Sequence, residues 1–312
     1  MGRYIVNRLM QGLLLVFVVT ILVFAMLHMM PGDPIDLLSA RTVPQEQRQL
    51  MRQQYGLDKP FIEQYFNWLK NLFSGDMGRS IKTRMPVSEM FAQRIPVTLK
   101  LCGIALLIEL AIALPIGLLA AYKKDSIFDR IVMSLSLLFA AVPSFWLAMM
   151  LIMLFGVTLK VLPLSGFIGV QSYLLPIAAM VLGTMASTIR LTKTEVLDVM
   201  REKYILTAYA KGLPHRIVMV RHVLRNALIL VTIMLFLNIP WVISGAVIIE
   251  NIFVIPGMGS LMTASILVQD FTVVQACVLI IAVLTVLCNL ICDIITAVLD
   301  PRIRISLTGS GN

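Results

Sequence analysis

Residues 98–122 read TLKLCGIALLIELAIALPIGLLAAY, an apolar stretch that carries only two charged side chains, Lys100 and Glu109. About 20 consecutive apolar residues, wound into an α-helix, are enough to cross the hydrocarbon core of a lipid bilayer. Five further stretches of this kind lie at 9–30, 131–159, 173–191, 227–249 and 274–299. The sequence therefore predicts an all-α membrane protein with six transmembrane helices. The stretch at 131–159 is long enough to tilt, or to leave the membrane before its end.

The composition is that of a protein whose main solvent is lipid. Hydrophobic residues make up 59% of the 312 residues and charged residues only 14%, against about 25% in soluble domains. The net charge of +9 could indicate a nucleic-acid partner, but the positions of the basic residues indicate membrane topology instead. The run at 9–30 is longer than the apolar core of a signal peptide and lacks an A-x-A cleavage site, so we expect it to remain as a membrane anchor.

The basic residues of the short loops lie almost entirely on one side of the six predicted spans. The loops on the opposite side, 160–172 and 251–273, carry Lys160 as their only basic residue. Because lysine and arginine collect on the cytoplasmic side of membrane proteins, we expect both termini to be cytoplasmic. The long segment 31–97 then lies on the external side, where the charge rule has little force.

The external segment is predicted to be a small folded cap. Polar and apolar residues alternate along it, and Tyr65, Phe66 and Trp68 are spaced as on one amphipathic helix over 64–72. Packing against the spans is the favoured role of these aromatic rings, and a binding surface is the alternative. We divide the chain into an N-terminal part, a five-helix core and a cytoplasmic tail: 1–93, 94–299 and 300–312.

The predicted cytoplasmic loop with the most basic residues is 192–226, between the fourth and fifth predicted spans. Its pattern predicts two short helices, the first over 194–211. Gly212 can adopt the left-handed conformation that ends a helix, and Pro214 can occupy the first turn of the next. The loop is therefore expected to form a helix–turn–helix corner with small and basic side chains. A solvated loop that merely fixes topology would explain the charge but not the small residues.

Two strings in this loop carry a family resemblance. Residues 204–214, YILTAYAKGLP, and 221–227, RHVLRNA, resemble the coupling loop of permeases in the dipeptide, oligopeptide and nickel family of ABC importers. Leu206 stands where the general form has a glutamate and Thr207 where it has an alanine, a departure typical of this family. Similar motifs run in order along the chain: LHMMPGDP at 27–34, YGLDKP at 55–60, GDMGRS at 75–80, PSFW at 143–146, IENIF at 249–253, PGMG at 256–259 and DPRIR at 300–304.

The resemblance implies the type I ABC importer permease fold in a bacterial inner membrane. In that family the loop docks on an ATPase subunit and transmits its closure to the membrane helices. The residues that match the coupling loop are Thr207, Ala208, Ala210, Lys211, Gly212, Leu213, Pro214, Arg221, His222 and Asn226. The implied partners are a second, homologous permease subunit, two ABC ATPase subunits and an external solute-binding protein, with no nucleic acid. Peptides are the expected cargo, and nickel or another metal chelate is the alternative.

Three acidic residues lie within or at the edge of apolar stretches: Glu109, Glu250 and Asp293. An unpaired charge in hydrocarbon costs about 3 kcal/mol or more, so we expect them to face protein or water. Glu250 is predicted to lie near the external mouth of a transport path. Four neighbours are expected to shape that mouth: Asn251, Pro256, Gly257 and Gly259. For Glu109 and Asp293, structural hydrogen bonding is at least as good an explanation. A secondary transporter that couples to ions through the three acids is the rival class.

The sequence contains no G-x-x-x-x-G-K-[ST] phosphate loop, so we expect ATP and Mg²⁺ on partner ATPase subunits and no cofactor on this chain. Its three histidines, His28, His215 and His222, form no catalytic set, which argues against a membrane-embedded enzyme. No metal site is expected either. His28 beside its methionines, and Cys288 with Cys292 at a four-residue spacing, favour helix packing.

Overall fold

A computed structural model of the protein describes residues 2–30, 35–36, 44–166 and 169–299. These residues are helical, apart from connecting turns and one isolated bridge between Arg79 and Pro86. The helices are α1 (Gly2–His28), α2 (Gln45–Gln54), α3 (Phe61–Phe73), α4 (Val87–Tyr122), α5 (Ile127–Ala141), α6 (Ser144–Leu151), α7 (Gln171–Met200), α8 (Lys203–Ala210), α9 (His215–Ile217), α10 (Arg225–Ile252), α11 (Met258–Leu267) and α12 (Phe271–Leu299). Two π-helical segments follow α6 and α9 without a break: Ile152–Thr158 and Val218–Leu224.

Some features named from the sequence lie outside the described residues. They are residues 31–34 of the LHMMPGDP motif, the DPRIR motif at 300–304 and the tail 300–312.

Four helices are long and apolar enough to cross a membrane on their own: α1, α4, α7 and α12. Two bent pairs are further candidates: Ile127–Ala141 with Ser144–Thr158, and His215–Ile233 with Asn238–Ile252. Counting each bent pair as one span gives six spans in the described part of the chain. The prediction of an all-α membrane protein is confirmed, and six spans follow if both bent pairs cross.

The third predicted span is not one continuous helix, which corrects the single stretch expected at 131–159. α5 and the helix after it are bent by 101°. Pro143 has no N–H to donate, and its ring disfavours the helical conformation in the residue before it. Val142 is accordingly extended, with φ −95° and ψ 124°. A new helix therefore begins at Ser144 and continues through the π-helical segment.

The described chain forms two compact units. Among the described residues, the first comprises Leu99–Ile255 and 291–299, and the second comprises Gly2–Thr98 and Pro256–Leu290.

α7 is the central helix of the first unit and packs against α5, α6 and α10. Lys193 of α7 forms a salt bridge of 2.5 Å with Asp129 of α5, and both side chains are largely buried. Ser126 caps α5, because its hydroxyl accepts a hydrogen bond from the Asp129 N–H at 3.2 Å. One carboxylate therefore joins the start of α5 to the C-terminal half of α7.

Aromatic packing joins α3 to α1 in the second unit. The ring centroids of Phe24 and Tyr65 are 5.2 Å apart, and the Tyr65 hydroxyl shares a hydrogen bond of 3.0 Å with the Thr20 hydroxyl. The amphipathic helix predicted over 64–72 is confirmed, and so is the packing of Tyr65 against a span. Phe66 does not share that face: it lies about 100° further around the helix and is 63% exposed.

A buried carboxylate, Asp270, organises the residues that precede α4 in the second unit. It accepts hydrogen bonds from the Ser80 hydroxyl at 2.5 Å, the Ile81 N–H at 3.1 Å and the Lys82 N–H at 3.3 Å. The Tyr55 hydroxyl donates to the Ser80 carbonyl at 3.3 Å. Burial raises the pKa of Tyr55, and the negative charge of Asp270 adds to that shift. Asp270 lies outside the motifs quoted above, whereas its partner Ser80 is the last residue of the motif GDMGRS at 75–80.

We expect Asp270→Ala to destabilise the protein, because the Ser80 hydroxyl and two backbone N–H groups would lose their acceptor. A buried donor left without a partner costs about 1–3 kcal/mol, so the free energy of unfolding should fall by about 3 kcal/mol. Thermal unfolding in detergent measures the change, with Asp58→Ala as the control because Asp58 is exposed. Equal melting temperatures for the two variants would contradict this role of Asp270.

Candidate functional site

The loop predicted at 192–226 folds into a corner within the first unit. α7 continues the fourth span as far as Met200, and the chain reverses at residues 201–202 before α8. The first short helix expected over 194–211 is therefore wrong, because its first half belongs to α7. Glu202 is extended, with φ −68° and ψ 143°, and this reversal lets α8 pack against the end of α7.

Gly212 follows α8 in the conformation predicted for it. Its φ is +76°, in the left-handed region that glycine adopts without strain. The Gly212 N–H donates to the Tyr209 carbonyl at 2.9 Å. The Leu213 N–H donates to the Ala208 carbonyl at 3.3 Å. This pair of bonds is a Schellman motif, which satisfies the last carbonyls of a helix. Pro214 occupies the N-cap position of the next helix, α9. The sequence predicted it one residue later, in the first turn of that helix.

An apolar cluster lies beneath this corner. Its buried members are Ala121, Val196, Val199, Ile205, Ala208, Val218, Val223 and Ala227. α7, α8 and the helical stretch after Pro214 all contribute, so close packing holds them together as one body. Ala208, one of the residues that match the coupling loop, is 6% exposed and fills the cluster. Ala210 and Gly212, which match the same loop, are exposed.

Apolar side chains also cover the outer face of α8. Tyr204 is 43% exposed, Leu206 63% and Tyr209 38%. Exposed basic residues surround them: Lys203, Lys211, Arg216 and Arg221. An exposed apolar patch with a polar rim indicates a protein-binding surface. The sequence did not predict a role for Tyr204 or Tyr209. Because Ile205 and Ala208 are buried on one side of α8, the residues between them lie on its outer face.

Polar contacts brace the corner. The Asn226 side-chain amide donates to the His222 carbonyl at 2.7 Å and to the Tyr204 hydroxyl at 3.2 Å. Asn226 therefore links the start of α10 to α8. The His215 ring stacks on the Tyr209 ring, and its Nδ1 lies 2.7 Å from the Tyr209 hydroxyl. His215 thus closes the turn from the other side, a contact that sequence reasoning missed.

The remaining coupling residues predicted from the sequence lie at the same corner. Thr207, Lys211 and Arg221 are exposed. The Thr207 hydroxyl donates to the Lys203 carbonyl of its own helix at 3.1 Å. The fold therefore brings the predicted coupling residues together, with Ala208 buried and most of the others on the outer side. Their part in coupling stays a prediction.

Glu109 lies at a cavity of the first unit. The residue is 4% exposed, and its carboxylate accepts hydrogen bonds from the Thr184 hydroxyl at 2.7 Å and the Thr188 hydroxyl at 2.6 Å. The cavity has a volume of about 450 Å³, and residues of α4, α7 and α10 form most of its wall. The structural hydrogen bonds suggested for Glu109 are therefore present. Sequence reasoning missed both threonines, whose spacing of four places them on one face of α7.

Glu250 is fully buried near the end of α10, and its carbonyl accepts the Ile255 N–H at 2.8 Å. The side chain therefore faces protein, one of the two environments expected for it. Asn251 is exposed, and its side-chain amide donates to the Val247 carbonyl at 2.7 Å. Asp293 of α12 is half-buried.

The other residues predicted for the external mouth, Pro256, Gly257 and Gly259, belong to the second unit. Gly257 directly precedes α11, and the Met258 N–H at its start donates to the Thr98 hydroxyl at 2.8 Å. Gly257 and Gly259 are buried. A role for these residues in a transport path stays a prediction.

The described residues contain no group of three or more His, Cys, Asp or Glu side chains that could hold a metal ion. His28 packs instead: its ring stacks on Phe24 at 4.3 Å, and its Nδ1 donates to the Phe24 carbonyl at 2.8 Å. Its Nε2 lies 2.9 Å from Gln64 Oε1. Cys288 and Cys292 are not joined in a disulfide, and the buried Cys292 thiol donates to the Ile233 carbonyl at 3.6 Å. Packing of His28 is therefore confirmed.

The candidate spanning helices, with a packed corner that carries basic side chains between two of them, are features of a multi-pass membrane protein. The sequence matches the family described as "Binding-protein-dependent transport system inner membrane component" over residues 113–305. Residues 1–102 match the corresponding N-terminal family. The chain belongs to this family. It is a multi-pass inner-membrane component of a binding-protein-dependent ABC transport system.

Three relatives match nearly the whole chain. A transport system permease protein of Brucella abortus is 38% identical over 97% of this chain and 99% of its own. The oligopeptide transport system permease protein AppB of Bacillus subtilis is 37% identical over 97% of this chain and 100% of its own. The dipeptide transport system permease protein DppB of Escherichia coli is 35% identical over 97% of this chain and 99% of its own.

A crystal structure of an amino acid ABC transporter with histidines shares the fold. The TM-score is 0.54 at 14% identity, over 67% of this chain and 94% of that chain. Together with the family match, this confirms the type I importer permease fold.

Two neighbouring residues of α8 test the packing of the corner. We expect Ile205→Ala to lower the local free energy of unfolding by about 2–5 kcal/mol, because Ile205 is 1% exposed and its truncation leaves a cavity. Leu206→Ala should change it by less than about 0.5 kcal/mol, because Leu206 is 63% exposed. Hydrogen exchange of the amides at 203–213 measures both effects. Equal exchange rates in the two variants would show that α8 is not packed in this way.

Proposed function

We propose that the chain is the pore-forming permease subunit of an ATP-driven, binding-protein-dependent importer of di- and oligopeptides. The observation that carries the proposal is the packed corner at Gly212, in a chain of the inner-membrane component family. The names of the relatives AppB and DppB support peptides as the cargo, since they describe oligopeptide and dipeptide transport. The relatives give no support to nickel as the cargo.

In this proposal the corner converts closure of an ATPase subunit into movement of membrane helices. The Schellman motif at Gly212 holds the end of α8, so a force on α8 is not lost by unwinding of its last turn. The apolar cluster joins α8 to α7 and to the helix that leads into α10. A displacement of α8 is therefore passed to two spanning helices as a rigid-body movement.

The outer face of α8 is the proposed docking surface. Leu206 and Tyr209 supply apolar contact area, and both are exposed in this chain. Lys203, Lys211 and Arg221 supply positive charge that complements carboxylates on the partner. This combination suits a groove on an ATPase subunit that is apolar at its floor and acidic at its rim.

Partners complete the proposed system. A second, homologous permease subunit completes the pore, two ATPase subunits dock at the two corners, and an external solute-binding protein delivers the peptide. ATP and Mg²⁺ bind to the ATPase subunits, which is supported by the lack of a phosphate loop in this sequence. Both termini face the cytoplasm, which the distribution of basic residues supports. ATP binding opens the path outward, and hydrolysis resets it.

We expect Leu206→Asp to weaken binding of the ATPase subunit by about tenfold or more, because a desolvated carboxylate would replace an apolar contact. Titration of the purified ATPase subunit onto the permease pair in nanodiscs measures Kd. Val170→Asp is the control, since Val170 is 82% exposed and lies in the loop on the opposite side. Unchanged Kd for Leu206→Asp would exclude α8 as the docking surface.

We expect Gly212→Val to uncouple peptide uptake from ATP hydrolysis. No atom lies within 4 Å of a Cβ added at Gly212, so the effect comes from its positive φ, which costs a β-branched residue about 2 kcal/mol. Uptake of peptide per ATP hydrolysed, measured with the assembled importer in proteoliposomes, should fall severalfold.

The external segment offers a matched control for this variant. Gly56 ends α2 with a φ of +68°, and its added Cβ would also meet nothing within 4 Å. The Gly56 N–H donates to the Gln53 carbonyl and the Leu57 N–H to the Arg52 carbonyl, the same Schellman pattern. Gly56→Val therefore introduces the same strain away from the corner and should keep the wild-type ratio. A wild-type ratio in Gly212→Val would refute coupling through this helix end.

A further inference from the structure

The cavity beside Glu109 has no role in the docking and coupling steps proposed above. Its wall comes from α4, α7, α10 and the bend around Pro143, and its volume is about 450 Å³. Apolar residues make up most of the wall, among them Leu106, Met180, Val242 and Ile248. Pockets that bind small molecules typically have volumes of about 300–1,000 Å³ and mostly apolar walls. This cavity is therefore large enough for a short peptide.

Glu109 is the only charged side chain among the described residues that line the cavity. The donors that reach its carboxylate from Thr184 and Thr188 are neutral hydroxyls. An ionised carboxylate has about four acceptor positions, so two hydroxyls leave about half of them for other donors. A buried charge is costly unless an opposite charge accompanies it. The described wall thus provides hydrogen bonds to Glu109 but no compensating positive charge.

Structural hydrogen bonding alone does not explain a carboxylate at this position. The Thr184 hydroxyl also lies 3.1 Å from the Met180 carbonyl of its own helix, an acceptor that threonine commonly uses in helices. A neutral glutamine at position 109 could also pair with both threonines, because its Oε1 would accept from one hydroxyl and its Nε2 would donate to the other. The negative charge of Glu109 is therefore better suited to a positively charged ligand than to the packing of α4 against α7.

We propose that this cavity binds the peptide in transit and that Glu109 accepts hydrogen bonds from a primary ammonium group of that peptide. The inference rests on the proposed function, because it takes peptide as the cargo. An ammonium group has three N–H donors, and its hydrogen bonds to a carboxylate are about twice as strong as neutral ones. The apolar wall receives uncharged side chains of the peptide. The ammonium group comes from the amino terminus or from a lysine side chain.

Uptake of two tripeptides by the assembled importer, with ATP and its binding protein, tests this inference. Ala-Phe-Ala carries an ammonium group only at its amino terminus, and Ala-Lys-Ala carries a second one. We expect Glu109→Gln to lower uptake at low peptide concentration about tenfold, the effect of losing a charged hydrogen bond. Glu89→Gln, an exposed position on the same helix, should leave uptake unchanged. Glu109→Asp keeps the charge and should restore part of the loss.

The pattern of loss distinguishes the sources of the ammonium group. A loss for both tripeptides assigns Glu109 to the amino terminus, whereas a loss for Ala-Lys-Ala alone assigns it to the lysine side chain. Uptake of both at the level of Glu89→Gln overturns the inference and leaves the proposed function standing. A wild-type importer that hydrolyses ATP but takes up neither peptide overturns both.

Chemical modification of the wild-type importer provides a measurement that does not depend on assembly of the Glu109→Gln variant. Dicyclohexylcarbodiimide reacts with carboxyl groups in apolar surroundings, and mass spectrometry quantifies the product at each position. During turnover, an excess of Ala-Lys-Ala should lower modification of Glu109 severalfold and leave modification of Asp293 unchanged. Equal modification of Glu109 with and without the peptide overturns the inference.

Discussion

Hydrocarbon offers no hydrogen-bond partner to a backbone N–H or C=O group, so each segment that crosses the bilayer must satisfy these groups by itself. The long helices α1, α4, α7 and α12 satisfy most of these groups internally, although a proline inside a helix, such as Pro176 of α7, donates no N–H. Where a helix is interrupted, other groups must take over. At Pro143 the chain bends by 101° and starts a new helix, and at Gly212 two backbone N–H groups satisfy the end of α8. The bend at Pro143 lies beside the cavity of Glu109, and the helix end at Gly212 lies in the corner that follows α8.

The corner around Gly212 combines two kinds of interaction with different consequences. Its backbone hydrogen bonds fix the direction of the turn, while the cluster that contains Ile205 and Ala208 fixes α8 to the helices on either side. Without the apolar cluster, α8 could rotate about the turn at Gly212. Without the hydrogen bonds of that turn, the C-terminal end of α8 would not be fixed at Lys211. Together they form a short helix that is rigid yet exposed on one face, as a mechanical contact requires.

Much of the fold was predictable because hydropathy and charge are local properties of the sequence. The six apolar stretches, the helix around Tyr65 and the left-handed Gly212 all follow from neighbouring residues. The bend at Pro143 was predictable in principle, since proline restricts the residue before it. Asp270 was not, because its partner Ser80 is 190 residues away in the chain. The same holds for the burial of Ala208, which depends on packing between helices.

The candidate site was predictable to a similar degree. The motif located the corner, but which face of α8 is buried depends on Val196 and Val199 of the preceding helix. The acid Glu109 stood out in an apolar stretch, whereas its partners on α7 did not, because a threonine hydroxyl can also bond to its own helix. Polar residues that pair between distant helices leave little trace in a single sequence.

Reconstitution of the permease pair in proteoliposomes gives the most direct test of the central claim, that this chain works as part of an ATP-driven importer. Uptake of a labelled tripeptide is measured with and without the ATPase subunits, ATP and the binding protein, and with and without an imposed proton or sodium gradient. The predicted result is uptake that requires the ATPase subunits, ATP and the binding protein and is indifferent to the gradient. Uptake by the permeases alone, driven by the gradient without ATP, would contradict the claim and identify an ion-coupled transporter.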